Sequence, residues 1–152
     1  MKVFNDHRGI FLLTQGVNYD QTFVSVSNKS YTFRGLHYQT DPYQTKTFKI
    51  IQGAVIDFIY DLNTKEAKSF FLTPSSEIFT VPDNYAHGFL TLVPNTIAVY
   101  GVTGKFNPDT YSSIPWHTVD YIKSKVLKLA GNNKITITDK DNNGTKGISR
   151  EQ

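Results

Sequence analysis

From residue 54 to residue 62 the side chains alternate. Ile56, Phe58, Tyr60 and Leu62 fall on one side of an extended chain, Val55, Asp57, Ile59 and Asp61 on the other. A period of two belongs to a strand, because successive side chains of extended backbone point to opposite faces. The first face is apolar and asks to be buried. The second carries two carboxylates, which sets it against solvent or a lined cavity. Further strands are expected at residues 9–13, 22–27, 46–51, 68–73, 77–81, 88–93, 96–103 and 134–138. Turn chemistry separates many of them, as at Asp41-Pro42, Gln52-Gly53, Pro82-Asp83-Asn84, Pro94-Asn95 and Asn107-Pro108-Asp109. Only residues 119–130 read as helix. Composition agrees: 61 of the 152 residues are Val, Ile, Thr or aromatic, while Ala and Leu number 14, the reverse of a helix bundle. The expected fold is all-β, a sandwich or small barrel such as a jelly roll with a short C-terminal helix. Residues 1–152 are expected to form one domain.

The formal net charge is only +3, and much of the excess comes from Lys123, Lys125, Lys128, Lys134 and Lys140, so nothing demands nucleic acid as a partner. The chain has no cysteine, which removes disulfides, zinc–thiolate sites and thiol nucleophiles. Asp6 and Arg8 interrupt the N-terminal stretch where a secretory signal needs apolar residues, and no apolar run approaches the roughly 20 residues of a membrane span. A cytoplasmic protein without a membrane partner is expected. Residues 139–152, rich in Asn, Gly, Lys and Asp, would by composition alone be a frayed end.

Four histidines can be weighed one by one. His37 lies in Arg34-Gly35-Leu36-His37-Tyr38-Gln39 and His87 in Ala86-His87-Gly88-Phe89, each expected beside the start of a strand, whereas His7 and His117 have loop-like neighbours. Imidazole is the natural general base near neutral pH. Taken alone, each of the first two reads first as a hydrogen-bonded barrel residue.

Their company changes the reading. Arg34 to Gln39, then Gln44-Thr45-Lys46, then Gly53-Ala54-Val55-Ile56-Asp57, then Val81 to Phe89 occur in this order, preceded by Asp6-x-Arg8-Gly9-x-Phe11 and followed by Thr138-Asp139-Lys140-Asp141. The ordered set resembles the dTDP-4-dehydrorhamnose 3,5-epimerase family, a branch of the cupins, and the resemblance runs from Asp6 to about Asp141. It implies a jelly-roll barrel, a homodimer, and inversion at C3, C5 or both of a 4-keto-6-deoxyhexose carried on a nucleoside diphosphate, dTDP above all. It makes His37 the catalytic base, Asp141 the carboxylate that orients it, Lys46 the group at the C4 oxygen and Tyr100 the general acid. Arg34 and His87 become pocket residues, Arg8 a diphosphate contact, and Phe11, Gln21 and Asp61 further substrate-binding positions. Trp116 matches a packing position. No metal or other cofactor enters this scheme.

The residue types suit the chemistry. Inverting a carbon beside a ketone removes a proton from one face, holds an enolate and returns a proton to the other. That calls for a base, a fixed positive charge at the developing oxyanion, and a weak acid across the ring. Three positions depart from the resemblance: Leu13 stands where the family often has glutamate, Phe23 where it has asparagine, and Phe106 where it has tyrosine. The first two bear on the nucleotide, the third on how many centres are inverted. A sugar-nucleotide 3,4-ketoisomerase and a non-catalytic sugar-binding cupin are the alternatives. A metal-dependent cupin is disfavoured because Gln39 follows His37 where a His-x-His pair would be needed.

Overall fold

The structure, a computed structural model, describes residues 2–6, 9–13 and 19–147, with side chains from Tyr19 onward. Its strands are β1 (Lys2–Asp6), β2 (Gly9–Leu13), β3 (Gln21–Ser27), β4 (Phe33–Tyr38), β5 (Thr45–Gln52), β6 (Val55–Asp61), β7 (Ala67–Leu72), β8 (Phe79–Val81), β9 (Tyr85–Thr91), β10 (Thr96–Thr103), β11 (Ser112–Ser113) and β12 (Thr145–Lys146). A 3-10 turn at Trp116–Thr118 leads into helix α1 (Asp120–Ala130), and a short helix α2 (Asp139–Asn143) precedes β12. Strands β1 and β2 pair with each other. The others build a four-stranded sheet, β3-β10-β5-β8, and a six-stranded sheet, β12-β11-β4-β9-β6-β7, with every strand pair among the described residues antiparallel.

The alternation in β6 decides how these layers stack. Phe58 packs with Leu36, Ala86 and Leu90 of the six-stranded sheet and with Ile122 and Val126 of α1. Val55, on the opposite face, packs with Phe89 and with Phe48, Ile50 and Ala98 of the four-stranded sheet. The six-stranded sheet is therefore covered by α1 on one side and by the second sheet on the other. Ile122, Val126 and Ala130 recur every four residues, one face of a helix, and all three are buried. Each large apolar side chain removed from water in these layers contributes roughly 1.5–3 kcal/mol. The face of β6 that carries Asp57 looks between the sheets, and Asp57 is fully buried there. That resolves the choice between solvent and cavity in favour of the cavity.

Three expectations need correction. Residues 134–138 are not a strand: Thr136 makes one isolated parallel bridge to Thr32, and Thr138 caps α2. Strand β11 takes the His37–Tyr38 end of β4, and residues 134–138 meet only its start, through Phe33 N to Thr136 O at 2.8 Å and Thr136 N to Tyr31 O at 2.9 Å. The histidines do not sit beside strand starts but within β4 and β9, where His37 and His87 are directly opposed. Asp139 to Asn143 is helical, so that part of the tail is no frayed end.

Candidate active site

The site begins with an irregularity in β4. Arg34 pairs with Phe89 and His37 with His87, so three steps along β4 match two along β9, a bulge of one residue. In a regular strand residues three apart point to opposite faces. The extra residue resets the alternation, and Arg34 and His37 line the same cavity. Glycines permit it. A Cβ on Gly35, whose φ is +113°, would stand 2.5 Å from the His87 carbonyl oxygen, and one on Gly88 would stand 2.6 Å from that of Arg34.

His37 and Asp141, 104 residues apart, meet with Nε2 2.7 Å from Oδ1. The other carboxylate oxygen accepts from the Gly35 N–H at 3.0 Å. An ionised carboxylate only accepts, so Nε2 carries the proton and Nδ1 the lone pair. Asp141 is brought in by α2, where the Thr138 hydroxyl accepts from the Asp141 N–H at 3.3 Å. Burial pushes the Asp141 carboxyl up, but the His37 hydrogen bond and charge, the Gly35 N–H and the nearby Arg34 outweigh it and hold the group below its usual range. Arg34 is itself pinned, its Nε donating to Ser27 Oγ at 3.1 Å and an Nη to Val26 O at 3.0 Å.

A second imidazole–carboxylate pair lies alongside. His87 Nε2 is 2.6 Å from Asp57 Oδ2. Burial raises the Asp57 carboxyl above its ordinary range, opposed by His87 and by Lys46. Lys46 reaches in from β5, is 7 % exposed, and has its Nζ 3.4 Å from the His37 carbonyl oxygen. Burial lowers the Lys46 ammonium to about 8, with Asp57 pulling the other way.

Tyr100, on β10 beside β5, is stacked on Phe23 with ring centres 5.2 Å apart and flanked by Phe48 at 6.0 Å. Tyr111 packs 5.6 Å from the His37 ring, and Phe106 packs edge-on against Tyr111 at 5.5 Å. These groups enclose a cavity of about 390 Å³.

Of the residues read from the sequence, His37, Lys46, Tyr100, Asp141, Gln21, Arg34 and His87 all line this cavity. Asp61 does not. At the end of β6 its Oδ1 accepts from the Asn63 and Thr64 N–H groups at 2.8 and 3.2 Å, which lowers its carboxyl and closes the turn into β7. Arg8 lies outside the described residues, and Phe11 is placed by its backbone in β2 only. Trp116 packs in the core, as expected. Sequence reasoning missed Tyr111, whose surroundings carry no periodic pattern, and left Asp57 on a face set against solvent or a lined cavity, with no role. Among the described residues no three His, Asp or Glu side chains gather as a metal would require. No helix among them is long and apolar enough to cross a membrane.

Comparison with known proteins bears on the whole chain. A family model described as dTDP-4-dehydrorhamnose 3,5-epimerase matches residues 1–146. A curated dTDP-4-dehydrorhamnose 3,5-epimerase of Methanothermobacter thermautotrophicus is 29% identical, over 93% of this chain and 84% of the relative. One from Shigella flexneri is 27% identical, over 99% of this chain and 90% of its own. The crystal structure of the Bacillus anthracis dTDP-4-dehydrorhamnose 3,5-epimerase with TDP and pyrophosphate bound superposes with a TM-score of 0.68, at 31% identity over 97% of this chain and 90% of that one.

Proposed function

The chain belongs to the dTDP-4-dehydrorhamnose 3,5-epimerase family, and from that premise we propose that it inverts C3, C5 or both of a dTDP-linked 4-keto-6-deoxyhexose by deprotonation and reprotonation through an enolate. The observation that carries the reading is the convergence of a carboxylate-held imidazole, a buried ammonium and a tyrosine on one cavity. They come from different elements: His37 from β4 in the six-stranded sheet, Lys46 and Tyr100 from β5 and β10 in the four-stranded sheet, and Asp141 from α2.

Each group has a step. His37 takes the proton from the carbon beside the ketone, and Asp141 fixes the tautomer and stabilises the imidazolium that results. Negative charge moves to the C4 oxygen, where the Lys46 ammonium stabilises it within a largely desolvated site. Tyr100, on the other sheet, returns a proton to the opposite face of the carbon. Arg34 and His87 position the sugar nucleotide. On this reading residues 1–152 form one catalytic domain that works as a homodimer in the cytoplasm and needs no metal or other cofactor.

The test is incubation with dTDP-4-keto-6-deoxyglucose in deuterated water. Deuterium should enter C3, C5 or both while the carbonyl stays at C4; a migrated carbonyl would instead identify a 3,4-ketoisomerase. His37→Ala should lower kcat by about 10²–10⁴-fold. Full activity in that variant, or no exchange with any 4-keto carrier, would overturn the assignment. Light scattering of the purified protein should give twice the 17.2 kDa chain mass.

A further inference from the structure

Asp57 has no step in the scheme above, yet its surroundings are unusual. It is 0 % exposed, on the inward face of β6, with Phe89 opposite it on β9. One oxygen is held by His87, whereas Oδ1 is shut off from water and makes no hydrogen bond among the described residues. An isolated buried carboxylate is costly, and an unpaired buried oxygen asks for an explanation. An amide or an apolar side chain would serve packing better at this position. The buried cation Lys46 lines the same cavity as His87, the residue that holds Asp57. Each appears among the charges that act on the other.

We propose that Asp57, anchored by His87, is a positioning residue for the reaction: it supplies the counter-charge that keeps the buried Lys46 ammonium protonated and directed at the substrate oxygen. This rests on the epimerase reading for the oxygen that Lys46 serves, whereas the coupling of the two groups rests on their burial and on the cavity that Lys46 shares with His87, the anchor of Asp57. His87 accounts for the anchoring. Its Nε2 fixes Oδ2, and the Phe48 ring packs edge-on against the imidazole at 5.2 Å, so the carboxylate cannot turn away.

Other groups around Lys46 are accounted for. From β4 come His37 and Arg34, the first paired with Asp141 and the second with Ser27 and Val26 O. Tyr100 comes from β10, and Tyr111 stands against His37. Strand β8, which pairs with β5, places Val81 opposite Lys46 and carries no titratable side chain. Asp141 is engaged by His37 and the Gly35 N–H. Asp57 is thus the carboxylate whose remaining oxygen is uncommitted.

The test is an NMR titration of substrate-free protein labelled at lysine and aspartate, with the Lys46 and Asp57 resonances assigned by their loss in Lys46→Met and Asp57→Asn. In the unmodified protein Lys46 should titrate near 8, and the Asp57 carboxyl carbon should show an inflection at that same pH. In Asp57→Asn, Lys46 should titrate about one unit lower. At pH 8 its protonated fraction then drops from about a half to about a tenth, so kcat falls roughly fivefold and the alkaline limb of the kcat profile moves to lower pH. KM should change less than twofold. A Lys46 titration unmoved in Asp57→Asn, or no Asp57 inflection in the unmodified protein, would overturn the proposal. The second measurement requires no folded variant beyond assignment. Both are made without substrate, so they are decided separately from whether the protein epimerises sugars.

Discussion

An ammonium whose pKa falls from 10.5 to about 8 is carried at a disadvantage of about 3 kcal/mol relative to water, a cost that the proposed chemistry of Lys46 would justify. Removing Lys46 alone strands the Asp57 carboxylate, which is itself raised by burial. Removing both charges relieves both penalties. Lys46→Met with Asp57→Asn is therefore expected to be inactive but more stable by roughly 1–4 kcal/mol in urea unfolding at pH 7, with Lys46→Met alone showing less of the gain. Asp141 behaves in the opposite sense. Its carboxyl is depressed in the folded protein, so its contribution is present above the ordinary carboxylate range and is lost as pH falls through the lower, folded value. Asp141→Asn should flatten the loss of stability below about pH 4 and, at neutral pH, lower kcat by about 10²–10⁴-fold, because the imidazole loses its orienting acceptor. His37 and Lys46 could be read from the short motifs around them, Tyr100 from its matching position in an apolar strand, and Asp141 from Thr138-Asp139-Lys140-Asp141 although the segment before it is short and poorly matched; all four line the cavity. Tyr111 could not: a loop aromatic becomes part of a site only when the fold brings it against His37. Asp61 was misplaced for a local reason, since a carboxylate at a strand end is taken by the backbone donors of the following turn before any ligand can use it.

Strands and helices make the same point about placement. Alternation identified β6 and its two faces but left open whether the Asp57 face meets solvent or a cavity, and it could not foresee the bulge in β4, where three steps answer two. A bulge depends on the partner strand, and Gly88 on β9 is half of this one. The close approach of Gly35 to the His87 carbonyl makes β4 intolerant of a side chain there. Gly35→Ala is expected to destabilise the protein by roughly 2–4 kcal/mol, through the positive φ and the backbone collision, and to reduce kcat more than KM as His37 and the N–H that holds Asp141 are displaced together. Thermal unfolding and steady-state kinetics on one preparation measure both effects. Residues 134–138 show the converse. Their β-branched pattern is that of a strand, but a strand needs a continuous edge, and they meet only the start of β4, whose far end pairs with β11. What remains is a connector that ends in the Thr138 cap and delivers Asp141.

At the level of the molecule the site belongs to no single layer. Its walls come from both sheets and from α2, and its central pair joins residues 104 positions apart. Such long-range pairings leave no local trace in a sequence, which is why β2, β3 and β5–β10 were legible while β1, β4, β11, β12 and the partition into four- and six-stranded sheets were not. A ligand lodged there touches elements that separate on unfolding, so its binding energy adds to the stability of the whole fold. The cavity is lined by the cations Arg34 and Lys46 and by the stacked rings of Phe23 and Tyr100. At a concentration a hundred times its dissociation constant, dTDP should add about 2.7 kcal/mol, which for a chain of this size raises the melting temperature by roughly 5–10 °C. Differential scanning fluorimetry with dTDP and GDP at equal concentrations measures this and also asks whether Phe23 has altered the choice of base. A larger shift with dTDP is expected. Equal shifts would mean that the diphosphate alone is bound and the base is not read, and a larger shift with GDP would move the substrate to a different nucleotide while leaving the chemistry of His37, Lys46 and Tyr100 as it stands.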